Sequence, residues 1–245
     1  MQRGIFDQEI VVTPGMCDAS GLLGYADVFE LFQDIAAEHA EEIGVGAAAM
    51  TQRGIFWLVT QTKVSFSGRV PMMTRCRLST WPVTSKSSDR RVFRCCRLSD
   101  GDQILCQGKT LWTILNTETG RLSTMGESGF PEVFPFAGED CLTEPFLRFH
   151  ETFLPEEAVY SLKVRASHTD FGGHVNNVSF VRILLDAFSA RELSGLQPAK
   201  MEIRYAASCY EGEELTVYRR KLEEGWLLAV QRGDERPAAY LKITE

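Results

Sequence analysis

Two long stretches of the chain carry apolar residues at helical spacing. Between Leu22 and Glu42, the residues Val28, Leu31, Phe32, Ile35 and Ala36 recur at intervals of three and four, the signature of a helix buried on one face. Between His174 and Leu193, the residues Val178, Val181, Leu184, Leu185 and Phe188 do the same. Gly44 and Gly195 stand where helix stops are expected. Each helix is followed by four runs rich in β-branched and aromatic residues, which read as strands. In the first half these are Phe56–Phe66, Thr74–Thr84, Arg90–Ser99 and Gln103–Asn116; in the second, Met201–Ser208, Glu214–Lys221, Trp226–Arg232 and Pro237–Thr244. A further strand precedes each helix, Glu9–Pro14 and Val159–Ala166.

The two halves repeat. A shift of 152 residues sets Asp18 on Asp170, Gly21 on Gly173 and Asp34 on Asp186. Each copy is one strand, an Asp-containing loop, one long helix and about four strands, which describes an antiparallel sheet wrapped around a helix. The predicted class is α+β, two tandem hotdog domains covering 1–126 and 158–245. The intervening 127–157 holds Pro131, Pro135, Pro145 and Pro155, and reads as a surface strap rather than a third domain.

Composition narrows the function classes. With 44% hydrophobic and 24% charged residues, the chain is an ordinary globular one, not a disordered or fibrous one. No apolar run reaches the roughly 18–20 residues of a membrane-spanning helix. The start, Met1 to Asp7, shows neither a signal-peptide core nor a transit segment, so a cytoplasmic location is expected. Seven cysteines without a CxxC pair suit reduced thiols. Four histidines without HxxxH or HExxH spacing argue against a metal site, and no cofactor is expected.

The net charge of −7 is unevenly spread. From Arg53 to Arg97 there are ten basic residues against one acid; from Glu127 to Glu157 there are eight acids against Arg148. Two solvated faces are one reading, and a docking surface is the other.

The chemistry concentrates in one loop, His168-Thr169-Asp170-Phe171-Gly172-Gly173-His174-Val175-Asn176-Asn177. Gly172 and Gly173 permit positive-φ backbone and close approach of a substrate carbonyl. The following helix start offers free N–H donors and a partial positive charge to a developing oxyanion. Asp170 and His174 are spaced to flank one reacting carbon, with a water activated by Asp170 and the carbonyl held by His174. The plainer alternative is a turn-capping Asp and a packed imidazole. Asn176 and Asn177 read as helix caps that tie the loop down. Asp18 and Gly21 of the first repeat precede Leu22-Leu23-Gly24-Tyr25, which lacks the polar groups, so Asp18 reads as a loop cap. Phe29, Phe32, Ile55, Phe56 and Trp57 read as pocket or core residues, core being favoured.

The string resembles the Asp-x-x-Gly-His-Val-Asn-Asn signature of hotdog thioesterases. With two hotdogs in one chain, and Gln33-Asp34 followed by Ala36 and His39 in the first helix, it is similar to bacterial acyl-acyl carrier protein thioesterases. The resemblance covers most of the chain. It implies hydrolysis of acyl-acyl carrier protein to free fatty acid in the C-terminal half, with the N-terminal half supplying the acyl pocket. It implies as partner an acidic acyl carrier protein with a medium- or long-chain acyl group, to be met by Arg90, Arg91 and Arg94 of the basic tract. No nucleic-acid motif accompanies those arginines. The sequence departs from the plant-type pattern where an Asn two residues after the Asp is replaced by Gly172, and where a Glu before a Cys is replaced by Ser208. The simpler Asp-only scheme of hydroxybenzoyl-CoA-type enzymes lacks that Asn as well. Ser208 and Cys209 are secondary candidates, Ser208 to hold a water and Cys209 as a nucleophile or, as for most strand cysteines, a small buried hydrophobe. An acyl-CoA thioesterase, or an acyl-binding hotdog protein without turnover, are the alternatives. The assembly is left open between monomer and homodimer.

Overall fold

The computed structural model describes residues 4–233 and 237–245; Met1–Arg3 of the opening segment lie outside them. The strands are β1 (Phe6–Val11), β2 (Ile55–Phe66), β3 (Arg75–Pro82), β4 (Arg91–Asp100), β5 (Gln103–Asn116), β6 (Leu122–Ser123), β7 (Ala158–Lys163), β8 (Lys200–Tyr205), β9 (Glu214–Leu222), β10 (Gly225–Arg232) and β11 (Pro237–Thr244). The helices are α1 (Tyr25–Glu42), α2 (Ala47–Gln52), α3 (Asn177–Leu185) and α4 (Ala190–Gly195).

All strand pairings are antiparallel and join into one sheet, in the order β1-β3-β4-β5-β2-β8-β11-β10-β9-β7, with β6 beside β5. Read from either edge to the centre, the order is the same in both halves. The halves meet where β2 pairs with β8, Gln61 opposite Arg204 through Ser65 opposite Lys200. Helices α1 and α3 lie against the same face of the sheet and touch each other. Their apolar stripes close one continuous core, in which Phe29, Phe32 and Ile35 share a cluster with Val181, Leu184 and Phe188. This is the double hotdog. No helix among the described residues is long and apolar enough to cross a membrane.

The repeat holds down to single hydrogen bonds. Asp18 N–H donates to Leu22 O and Asp170 N–H to His174 O, both at 2.9 Å; Gly21 N–H donates to Asp18 O and Gly173 N–H to Asp170 O, both at 3.0 Å. Gly21 and Gly173 share a left-handed φ of 72° and 75°, a conformation that glycine adopts without a steric penalty. Leu23 N–H reaches Val70 O where Val175 N–H reaches Cys209 O. Past the helices the offset is therefore 139 residues, because α2 lengthens the first half.

Three sequence expectations are corrected. The second helix does not run to Leu193: α3 ends at Leu185 and α4 begins anew. The cause is Ser189, whose hydroxyl accepts the Glu192 N–H while the Glu192 carboxylate accepts the Ser189 N–H, a capping box that starts a fresh helix. Apolar spacing continues through this break because Phe188 is still buried. The last strand residues before Cys209 also leave the sheet: Ala206 and Ala207 both donate to Ala238 O, so β8 stops at Tyr205. Finally, Gly172 does not share the positive φ of Gly173.

Residues 129–154 run without helix or strand; Phe130 and Phe134 pack on the helix side, and from Glu139 onward the segment crosses the outer face of the sheet and carries acids to bases. Glu139 pairs with Arg97 and Asp140 with Lys109, each at 2.5 Å, while Glu144 pairs with Lys200 and its carbonyl accepts from Lys63. Phe146 stacks on Phe93 and Phe149 on Tyr240. Of the basic tract, the strap thus engages Arg97 by an ion pair and Lys63 through a backbone carbonyl.

Candidate active site

The loop before α3 is held from three sides. The turn Ala166–His168 precedes it, Asn176 N–H donates to His168 O, and Val175 N–H is tied to Cys209 O. Asn176 caps α3 with its side-chain oxygen, which accepts the Val178 N–H at 2.8 Å, the structural role its position suggested.

Asp170 Oδ1 accepts the Gly172 N–H at 2.8 Å. The His174 ring packs on Tyr210, centroids 5.0 Å apart. Among the described residues no side-chain hydrogen bond joins the Asp170 carboxylate to the His174 imidazole; both instead border the space over Gly172. A Cβ there would lie 3.1 Å from Asp170 Oδ1 and 3.2 Å from His174 Nδ1. The glycine keeps a gap between carboxylate and imidazole that any side chain would narrow.

That gap opens into a cavity of about 800 Å³. Asp170, Gly172, His174, Asn176 and Ser208 line its polar end, with Gln33 and Asp34 of α1. Ala36, Ala40, Met50, Val59, Trp112 and Phe130 are among the apolar residues of its walls. Most of the apolar lining comes from the first half and the Asp–His loop from the second. Among the pocket-or-core candidates, Phe56 and Trp57 line the cavity, whereas Phe29, Phe32 and Ile55 are core. Cys209 is fully buried in the main core and outside the cavity lining, so it is packed as a small hydrophobe and not as a nucleophile.

The first repeat shows what the same loop does without a cavity. Asp18 Oδ1 accepts the Ser20 N–H at 2.8 Å, as Asp170 does from Gly172, but Asp18 Oδ2 is bound by Arg69 at 2.5 Å. Burial alone would raise the Asp18 carboxyl, but the Arg69 guanidinium and the loop amides outweigh it and hold it below the usual range. With the 139-residue offset, the place of Arg69 is taken by Ser208. Asp170 has no ion pair among the described residues.

Of the three docking arginines, Arg90 and Arg91 are exposed, but Arg94 is 8% exposed and lines the cavity. It does not belong to a docking surface. Strand alternation carried the signal: Arg94 shares a side of β4 with Val92, Cys96 and Leu98, all buried.

Comparisons with known proteins agree on one family. A model of the acyl-ACP thioesterase N-terminal domain matches residues 4–130, and one of the C-terminal domain matches residues 154–239. A chloroplastic acyl-[acyl-carrier-protein] hydrolase of Cuphea viscosissima is 23% identical over 69% of this chain and 44% of its own length. A chloroplastic dodecanoyl-[acyl-carrier-protein] hydrolase of Cinnamomum camphora is 23% identical over 74% of this chain and 50% of its own. The chain spans about half the length of the curated relatives it matches. Among solved structures, an acyl-ACP thioesterase from Bacteroides thetaiotaomicron superposes with a TM-score of 0.87 at 20% identity, covering 98% of this chain and 97% of that one. A 12:0-ACP thioesterase from Umbellularia californica gives 0.83 at 17% identity, covering 100% and 98%. Those two likenesses establish the fold, and the two domain models, matched in order along most of the sequence, establish that this chain belongs to the acyl-ACP thioesterase family.

Proposed function

We propose that the chain hydrolyses acyl-acyl carrier protein, releasing a free fatty acid. The observation that carries this reading is the placement of Asp170: without an ion pair among the described residues, near His174, at the polar end of a large apolar cavity, while its twin Asp18 is sealed by Arg69. The acyl chain lies in the cavity and the thioester carbon over Gly172. Asp170 takes a proton from a water, which attacks the carbon. His174 and amides at the start of α3 hold the carbonyl oxygen as charge develops on it. As the carbonyl reforms, the C–S bond breaks and the proton held by Asp170 passes to the departing sulfur, which leaves as the thiol of the carrier's prosthetic arm. Ser208, in the lining, is placed to hold the water. The N-terminal half supplies the pocket and no chemical step, and the boundaries at 126 and 158 separate the two roles.

The carrier docks through Arg90 and Arg91 without Arg94. Such exposed charges speed encounter and lose effect with salt. The test is release of free acid from a panel of acyl-carrier proteins against the matching acyl-CoAs, with Asp170→Ala as control. Equal turnover of both carriers favours an acyl-CoA thioesterase, and tight acyl binding without release favours an acyl-binding protein.

A further inference from the structure

Arg94 is out of place in an acyl pocket. Its guanidinium lies under α1, where Nη1 donates to His39 Nδ1 at 2.9 Å and to Thr80 Oγ1 at 3.3 Å. Both acceptors are neutral. Because Nδ1 accepts, His39 is the uncharged tautomer with its proton on Nε2, and burial and then the Arg94 charge push its pKa down to about 4. No carboxylate pairs with Arg94 among the described residues, and its other guanidinium nitrogens have no protein acceptor there. Burial lowers its pKa to about 10, so it is a cation at neutral pH. A buried cation without a counter-ion is costly to the fold, and nothing in the proposed hydrolysis uses it.

A second donor stands near it. Thr110 is opposite Arg94 and Trp112 is opposite Val92 on the neighbouring strand, so Arg94 and Trp112 are diagonal neighbours on the inner face, with Cα atoms about 7–8 Å apart. The indole N–H of Trp112 is buried without an acceptor. Both residues line the cavity that holds Asp170 and His174 at its polar end. This stretch of wall therefore offers donors and a positive charge, and the acids of the lining, Asp34, Glu41 and Asp170, form no ion pair with Arg94 among the described residues.

We propose that Arg94, with Trp112 beside it, is a second polar subsite, which binds a carboxylate carried by the acyl chain away from the thioester. The preferred acyl group is then one ending in an acid rather than in a methyl. The term acyl rests on the thioesterase reading; the anion site does not. Arg94 supplies two parallel N–H donors to a carboxylate, which lysine in its place would not.

The test is calorimetric binding of three esters of matched length to the purified chain: the methyl ester of a saturated acid, that of the ω-hydroxy acid, and the monomethyl ester of the diacid. The expected order is diacid monoester tightest, by tenfold or more over the plain ester, with the hydroxy ester between. Arg94→Met lowers that ratio to about one. The proposal is overturned if the plain ester binds tightest, if the hydroxy ester outbinds the charged one, or if a cooperatively folding Arg94→Met keeps the wild-type ratio. The wild-type series decides the matter even where the variant does not fold. Binding is read without turnover: a chain that prefers the charged ester and releases no acid from any acyl-carrier protein loses the proposed activity and keeps the subsite. One that hydrolyses plain acyl-carrier proteins without that preference does the reverse.

Discussion

The Arg69 guanidinium lies 2.5 Å from the Asp18 carboxylate, with both side chains largely buried. Tyr25 adds a hydroxyl 3.0 Å from Nη1 of the same arginine, and its ring lies beneath the guanidinium. The first loop is thereby a closed structural unit. In the second loop, Ser208 and Asn177 stand at the places of Arg69 and Tyr25, and the carboxylate faces the cavity. The two loops share a backbone, and the exchange of Arg69 for Ser208 is among those that separate a joint from a candidate site.

Restoring that exchange should silence the second loop. Ser208→Arg places a cation beside Asp170, holds the carboxylate as an ion pair and fills the polar end of the cavity. Hydrolysis of acyl-carrier protein should fall at least 100-fold, while circular dichroism and thermal unfolding stay near wild type. Undiminished turnover would show that Asp170 does not act from its free face.

Asp170→Asn keeps the shape and the Gly172 hydrogen bond but removes the base. Turnover should drop about 10²–10⁴-fold with little change in the Michaelis constant, measured on one acyl-carrier protein at saturating and sub-saturating concentrations.

The paired glycines separate chemistry from backbone. Gly172→Ala introduces a Cβ between Asp170 and His174, within 3.2 Å of both, and should cut activity about tenfold with stability nearly unchanged. Gly173→Ala meets no atom within 4 Å but sits at φ 75°. It should cost about 1–2 kcal/mol in urea unfolding.

Stability should fall in mild acid through His39. Burial, with the Arg94 charge, lowers its pKa in the fold to about 4, against about 6.5 in the unfolded chain. Between those values the unfolded chain binds more protons, so the contribution is fully present above about 6.5 and is lost as pH falls toward 4. The loss amounts to about 3 kcal/mol. Denaturant unfolding at pH 7 and pH 4.5 should show this slope, and His39→Gln should flatten it.

The strap is anchored at Glu202, which is 3% exposed. Its carboxylate accepts from Gln61 Nε2 at 2.6 Å and from Leu147 N–H at 2.7 Å, joining β8, β2 and the strap. Glu202→Ala leaves that N–H unsatisfied and the nearby buried Lys63 ammonium without its acid. A loss of about 2–4 kcal/mol is expected, with Glu202→Gln losing less. Proteolysis within residues 129–154 should then quicken.

Apolar spacing by itself determined the two repeats, their main strands and α1, because burial on one face imposes a period that neighbouring residues record. The loop from His168 to Asn177 was legible for the same reason: its glycine, its cap and its Asp act on atoms a few residues away. Long-range contacts left no such record. That Arg94 lies inside the cavity was implicit in the alternation of β4, but charge alone suggested the opposite. The acids of the strap find Arg97, Lys109 and Lys200 only once the chain folds across the sheet. Ser208 stands opposite Asp170, as Arg69 does opposite Asp18, because Cys209 and Val70 hydrogen-bond to equivalent loop residues, a register that the α2 insertion hides from a single sequence offset. Local sequence set the parts, and the packing of remote segments decided which Asp is bound by an arginine and which faces the cavity.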